Sequence, residues 1–272
     1  MGLPRSPRAV VTGAGGGLGR ALCVELARRG GRIVASDVDA AAAQATLAHL
    51  GDAEAYVVPC DVAQLPQVEH LADEAERRLG GIDLLVNNAG VAAGGRVGEV
   101  PITDWEWIVG VNLWGSVYGC HVFVPRLRRQ GHGHVLNVAS AAGLLAAPMM
   151  APYNVTKSGV VALSETLHAE LAGEGIGVSV LCPTFFQTSI AASSRLSGDP
   201  AMLAMVTGMM QQARVQADQV ARIAIDGVAR GDLYILPHRD GRWLWRIKRL
   251  HPGFFHRVAP RILAWRSGRR TD

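Results

Sequence analysis

A serine, a tyrosine and a lysine stand close together in one stretch: Ser140, Tyr153 thirteen residues on, and Lys157 four further. Residues four apart share one face of a helix, so Tyr153 and Lys157 can point at one spot. An ammonium beside a phenol favours the phenolate and lowers an ordinary pKa of about 10. That would make the tyrosine a proton carrier for general acid–base chemistry. The lysine is informative through its rarity: of 27 basic residues only Lys157 and Lys248 are not arginine. A compact ammonium is kept at this position in a chain that writes guanidinium almost everywhere else. The plain alternative is a tyrosine and a lysine on an ordinary amphipathic helix, and the pair gains meaning only from its surroundings.

Those surroundings begin near the N-terminus. Residues 8–12 (RAVVT) form a short apolar run, then come Gly13, Gly17 and Gly19 in G-x-x-x-G-x-G, then Leu18, Leu22 and Leu26 at helical spacing, stopped by Gly30–Gly31. The order is strand, glycine turn, helix. Glycines let backbone approach a pyrophosphate, and the helix start, Leu18 included, offers N–H groups at the positive end of the macrodipole. A second strand (32–36) ends at Asp37, eighteen residues after Gly19, where a carboxylate can bind adenosine ribose hydroxyls and repel a 2′-phosphate. Val38 follows, not an arginine that would accept that phosphate, so NAD is favoured over NADP.

The alternation continues. Strands are expected at 54–58, 83–86, 134–138, 177–181 and 232–236, with helices at 40–50, 65–79, 103–129 and 154–172. Asp61, beside Val62, can reach an adenine amine or cap the helix that follows. Asn87, Asn88, Ala89 and Gly90 sit at a strand's C-terminal end, the edge where ligands bind in open parallel sheets. So regular an alternation means an α/β fold: one Rossmann-type, doubly wound parallel sheet with helices on both faces.

TGAGGGLG (12–19), NNAG (87–90), Asn112, Ser140 and Tyr153-x-x-x-Lys157, in order and at family-like spacing, resemble the short-chain dehydrogenase/reductase family over roughly residues 8–236. The resemblance implies a nicotinamide cofactor and reversible oxidation of an alcohol to a carbonyl. By it, Tyr153 exchanges a proton with the substrate oxygen and Ser140 hydrogen-bonds that oxygen. Lys157 binds the nicotinamide ribose and depresses the Tyr153 pKa, while Asn112 holds a relay water. Where the family commonly has Pro-Gly this chain has Pro183–Thr184, and Thr188 is the position that usually touches the carboxamide. Homodimers or homotetramers built through the helices at 103–129 and 154–172 are likewise implied.

The segment 185–210 is the least family-like part of the core and is expected to wall the substrate pocket with Phe185, Phe186, Met205 and Met209, helped by Met149 and Met150. Cations are sparse there, Arg195 being the one arginine or lysine in 185–213, so an apolar alcohol or carbonyl compound fits better than a small anion. The competing reading is a methionine-rich helix face packed on the core. An NADPH-linked carbonyl or acyl-carrier-protein ketoreductase, and a redox-silent NAD-binding protein, are the alternatives for the whole chain.

The net charge of +4 is uneven: residues 242–272 carry nine arginines or lysines against one acid, which leaves residues 1–241 net acidic. The chain therefore divides into an oxidoreductase domain (1–241) and a basic, aromatic extension (242–272), with Trp243, Ile247, Leu250 and Phe254 at helical spacing among arginines. Three roles stay open for the extension: a lid or subunit contact whose arginines meet acids of the core, a helix on an anionic membrane surface, or another partner, nucleic acid not being expected. No run is read as a membrane span or secretory signal. Cys23, Cys60, Cys120 and Cys182 lack metal-ligand spacing and suit reduced core thiols, so no metal is expected and a cytoplasmic, or membrane-peripheral, location is.

Overall fold

A computed structural model describes residues 3–186, 194–196, 208, 213 and 215–258. Seven parallel strands lie in the order β3-β2-β1-β4-β6-β7-β9. They are β1 (Arg8–Thr12), β2 (Arg32–Ser36), β3 (Ala55–Val57), β4 (Leu84–Asn87), β6 (Gly133–Val138), β7 (Ile176–Leu181) and β9 (Tyr234–Ile235). The register puts Val10 between Val34 and Leu85, and Val86 beside Leu136. Successive strand residues face opposite sides and both sides are covered, so these strands are apolar without interruption. Ala9 and Val11 face one core with Leu22 and Leu26 of α1 (Gly17–Arg28) and with Val220, Ala224 and Val228 of α8 (Ala217–Arg230). Val10 and Leu85 face the other, with Leu71 and Leu79 of α3 (Leu65–Leu79) and Phe123 and Leu127 of α5 (Gly115–Gln130).

Two helices carry the chemistry to the sheet edge. α6 (Ala141–Leu145) begins at Ser140, and α7 (Ala151–Glu170) holds Tyr153 and Lys157 in its first two turns. α2 (Ala40–Leu47) starts on Asp39, whose carboxylate accepts from the amides of Ala41 and Ala42.

Several expectations need correction. The helix expected over 103–129 has the right extent and different winding: α4 (Ile102–Val109) passes through a π-helical turn, Gly110–Trp114, before α5. Its span Ile102–Gln130 is long and apolar enough, by composition, to cross a membrane, contrary to the expectation that no run would be. Half of that apolar window is buried inside the protein, where α5 packs on α3, β4 and β6. A short parallel pair, β5 (Ala93–Gly94) with β8 (Arg195–Leu196), was not expected, nor was α8. The last described helix, α9 (Arg239–Leu250), spans the boundary expected at 241/242.

Candidate active site

The site lies along the C-terminal edge of the sheet, where β1, β2, β4, β6 and β7 deliver Gly13, Asp37, Asn88–Gly90, Ser140 and Pro183. The turn after β1 is folded hard against the turn after β4. Gly13 has φ 64°, and a Cβ there would come within 2.7 Å of Ala89 Cα; a Cβ on Gly19 would overlap the Gly13 carbonyl oxygen. Only glycine fits both. The two turns are also bonded: Thr12 Oγ1 accepts from the amides of Asn88 (3.0 Å) and Ala89 (3.1 Å). Asn88 Nδ2 donates to the carbonyls of Thr12 (2.8 Å) and Gly13 (3.1 Å). Arg20 Nη2 and Thr46 Oγ1 each donate, at 2.7 Å, to the carbonyls of Gly15 and Ala14.

This cradle fits a dinucleotide. α1 starts after Gly16 with no side chain capping it and no acid in its first turn, so its N-terminal amides are available to an anion. Asp37 stands beside it: Oδ2 accepts from Gly15 N at 2.8 Å and Oδ1 from Asp39 N at 3.0 Å. A carboxylate is therefore fixed at the end of β2, next to the glycine turn. Leu18 sends its side chain into the core and can contribute only backbone here. Asp61 Oδ1 accepts from Ala63 N at 3.0 Å within the turn before α3, whose N-cap is Gln64, so Asp61 does not cap that helix as one of its two readings had it. Val62 is buried against Gly115, where a Cβ would come within 2.7 Å of it, so core packing fixes its side chain.

At the other end of the cleft Ser140, Tyr153 and Lys157 converge. Ser140 Oγ accepts from Ala142 N at 3.1 Å, capping α6, and faces the Pro183 carbonyl at 3.4 Å. Its hydroxyl also hydrogen-bonds the Tyr153 oxygen, which favours the phenolate. Lys157 is buried, with Nζ 2.9 Å from the Val138 carbonyl and 5.8 Å from the centre of the Tyr153 ring. Gly90 closes the gap between cradle and lysine: a Cβ on it would sit 3.4 Å from Lys157 Nζ and 3.3 Å from Asn112 Oδ1.

The electrostatics differ from expectation. Burial raises the Tyr153 pKa above its ordinary value and outweighs the Ser140 hydrogen bond; Lys157 is not among the causes. Burial brings Lys157 itself down to about 8. Desolvation disfavours both charged forms, and at nearly 6 Å from the ring the ammonium does not offset it.

Asn112 is placed differently as well. It is fully buried in the π-helical turn, with Oδ1 accepting from Val91 N at 2.8 Å and Nδ2 donating to Val91 O at 2.9 Å. Both ends of the amide are committed to the chain after NNAG, so the side chain is a strut.

Of the expected pocket wall, Met149 and Met150 lie half-buried between α6 and Tyr153, and Met149 O accepts from Gly95 N at 2.8 Å. Phe185 is 40% exposed. Phe186 is a correction: it is buried in the core beneath α1 and α8 and stacks on His238. Pro183 is buried, its carbonyl taken by Ala141 N at 2.8 Å. Thr188, Met205 and Met209 lie outside the described residues. The sequence reading missed Thr12, whose hydroxyl ties the two turns, and Arg195. The Arg195 guanidinium lies 4.0 Å over the Trp107 ring and 3.0 Å from Asp104 Oδ1. It also missed a buried chain in which Asn87 Nδ2 donates to Asn137 Oδ1 (2.8 Å) and Asn137 Nδ2 to Ser164 Oγ (3.0 Å).

A doubly wound parallel sheet with a dinucleotide cradle beside a serine–tyrosine–lysine cluster defines a dinucleotide-dependent oxidoreductase. Residues 7–198 match the short chain dehydrogenase family, and the chain belongs to it. A short-chain dehydrogenase/reductase from Burkholderia phymatum, solved in complex with NAD, superposes with a TM-score of 0.85 at 36% identity, covering 90% of this chain and 94% of that one. D-threitol dehydrogenase of Mycolicibacterium smegmatis is 38% identical over 67% of this chain and 71% of its own. 1-Deoxy-11-beta-hydroxypentalenate dehydrogenase of Streptomyces exfoliatus is 34% identical over 86% and 84%. Other curated relatives are matched over 65% or 32% of their length, so the chain spans under two thirds of them.

Proposed function

We propose that the chain transfers a hydride between NAD(H) and an apolar secondary alcohol or ketone, with Tyr153 as general acid–base. The observation that carries this reading is the convergence of the Ser140 hydroxyl on the Tyr153 oxygen, with buried Lys157 behind and the glycine cradle alongside. The dinucleotide would be held by backbone at Gly13, Gly17 and Gly19, by Asp37 at its ribose and by Ala89–Gly90. When bound it accepts or supplies the hydride. In the oxidative direction Tyr153 takes the hydroxyl proton. Ser140 gives its one hydroxyl proton, as a hydrogen bond, to whichever oxygen carries the charge, that of the substrate or that of the phenolate. Lys157, buried behind the Tyr153 ring and held by the Val138 carbonyl, favours negative charge on both oxygens while it is protonated. Asn112 keeps the turn bearing Gly90 in register with Lys157.

Asp37 supports NAD over NADP, because a 2′-phosphate would meet a carboxylate already bonded to Gly15. Half-buried Met149 and Met150 with exposed Phe185 support an apolar substrate. Relatives named for D-threitol and for a pentalenate show that membership alone leaves the substrate open. A panel of aliphatic, aromatic and polycyclic secondary alcohols set against polyols, each with NAD⁺ and NADP⁺, tests this directly. A preference for threitol-like polyols would remove the apolar reading, and turnover with NADP⁺ alone would remove the NAD reading. Self-association into a dimer or tetramer belongs to the same proposal: Ile102, Trp114 and Val155 are large, exposed apolar residues on the helices expected to form it. Sedimentation of the Trp114→Glu variant as a smaller species is the expected result.

A further inference from the structure

We propose that α9 is an interfacial helix that docks the protein on an anionic lipid surface. The helix is built the wrong way round for one that only closes a core. Of all the described helices it separates apolar from charged residues most strongly, and such a helix normally turns its apolar stripe inward. Here the inward face is Gly241 against Thr184, Trp245 against Tyr234 with ring centres 4.9 Å apart, and Lys248, whose Nζ donates to the Leu144 carbonyl at 2.7 Å. The apolar stripe faces out. Trp243 is 61% exposed, Leu250 73% and Phe254, in the helical residues just beyond, 61%, with Leu244 and Ile247 partly exposed between them.

The charges specify what covers this stripe. Residues 239–258 hold six arginines or lysines and one acid. Arg239, Arg242, Arg246 and Arg249 run along one border of the stripe, between it and the packed face, as the spacing of the helix requires. None of them forms an ion pair with a carboxylate among the described residues. Among the described residues, then, these four arginines are not clamped to acids of the core and remain available to an external anion. A second copy of the chain is a poor partner, because a two-fold contact would set one arginine row against another. Aromatic and aliphatic groups between arginines match the headgroup boundary of a negatively charged bilayer: the rings enter the interface and the guanidinium groups reach phosphates. α9 rests on α6, the helix that begins at Ser140, so docking would set the active-site edge near the lipid.

The test uses the full chain and vesicles of phosphatidylcholine with or without phosphatidylglycerol. Flotation with the anionic vesicles only, weakening as salt rises past about 0.1 M, is expected. Ile247→Asp with Leu250→Asp, both at exposed positions, should cut partitioning by about ten-fold or more while dinucleotide binding stays intact. Arg242→Glu with Arg246→Glu should abolish the preference for the anionic lipid. Absence of binding to anionic vesicles would overturn the proposal. So would equal flotation of the Ile247→Asp, Leu250→Asp protein. A wild-type dimer that this pair dissociates, with no vesicle binding, would reassign the stripe to a subunit contact and overturn it too.

Discussion

Lys157 Nζ donates a 2.9 Å hydrogen bond to the carbonyl of Val138, two residues before Ser140 on the same strand end. A buried ammonium held by a carbonyl, with no carboxylate in reach, is a functional group kept at a cost in stability. Its folded pKa of about 8 lies below the ordinary 10.5. Below pH 8 both folded and unfolded chains are protonated and the cost is full. Between the two values the unfolded chain holds a proton the folded one has released, so stability rises with pH. The contribution of Lys157 to the stability of the dinucleotide-free protein should therefore rise by about 3 kcal/mol across that window, against the four buried thiols, pushed up to about 12, which lower stability above pH 9. Lys157→Met should already be more stable near neutral pH and lack the rise. Urea unfolding of both proteins at both ends of the window checks this; a stability difference between wild type and Lys157→Met that does not change with pH would contradict it.

Tyr153→Phe should lower alcohol oxidation by about 10²- to 10⁴-fold and leave NAD⁺ binding within about two-fold. Because burial holds the Tyr153 pKa above its ordinary value, the phenolate is scarce at neutral pH. Oxidation should then rise close to ten-fold per pH unit through the neutral and mildly alkaline range, with carbonyl reduction showing no such rise. Initial rates in both directions against pH test it, and an acidic optimum for oxidation would refute it.

Asp37→Asn keeps an acceptor for Gly15 N and removes the charge. Combined with Val38→Arg, at a position 74% exposed, it should move the ratio of kcat/KM for NAD⁺ over NADP⁺ by at least about ten-fold, or 1.4 kcal/mol, toward NADP⁺.

Asn112→Ala strands the amide and carbonyl of Val91, two bonds at 2.8 and 2.9 Å. Unmet buried groups cost about 1–3 kcal/mol each, so a loss of about 3 kcal/mol in denaturant unfolding is expected. Retention of full stability would mean that solvent reaches Val91.

Arg195→Ala removes an exposed ion pair and a ring contact, each about 1 kcal/mol or less. Global stability should barely change. The segment pairing through β8 to β5 would lose its side-chain anchor on α4, so KM should rise several-fold with kcat nearly intact.

Much of this site is legible in the sequence because its parts are local. Glycine spacing after a strand, an acid at the end of the next, and a tyrosine and lysine one helical turn apart are short-range patterns that backbone geometry enforces. What escaped was decided by neighbours distant in the chain. Phe186 looked like pocket lining and is core, because α1 and α8 cover it. The side chain of Asn112 is a strut that no spacing foretold, because Val91 lies opposite. Lys157 was expected to tune Tyr153, but the depth of burial, which no spacing encodes, reverses the balance. Thr12 was passed over because a threonine ending a strand has no signature until the Asn88 turn folds onto it.

The π-helical turn at Gly110–Trp114 holds one residue more than α-helical winding needs, and Gly115 N reaches back to the Gly110 carbonyl across it. Deleting one residue there would turn α4 by about 100° relative to α5. Asn112 would swing off Val91, and Trp107 with Asp104 would swing off Arg195. A single surplus residue thus sets the phase between the catalytic floor and the wall above it, so tolerance to insertions and deletions should fall to a minimum at this point in the chain.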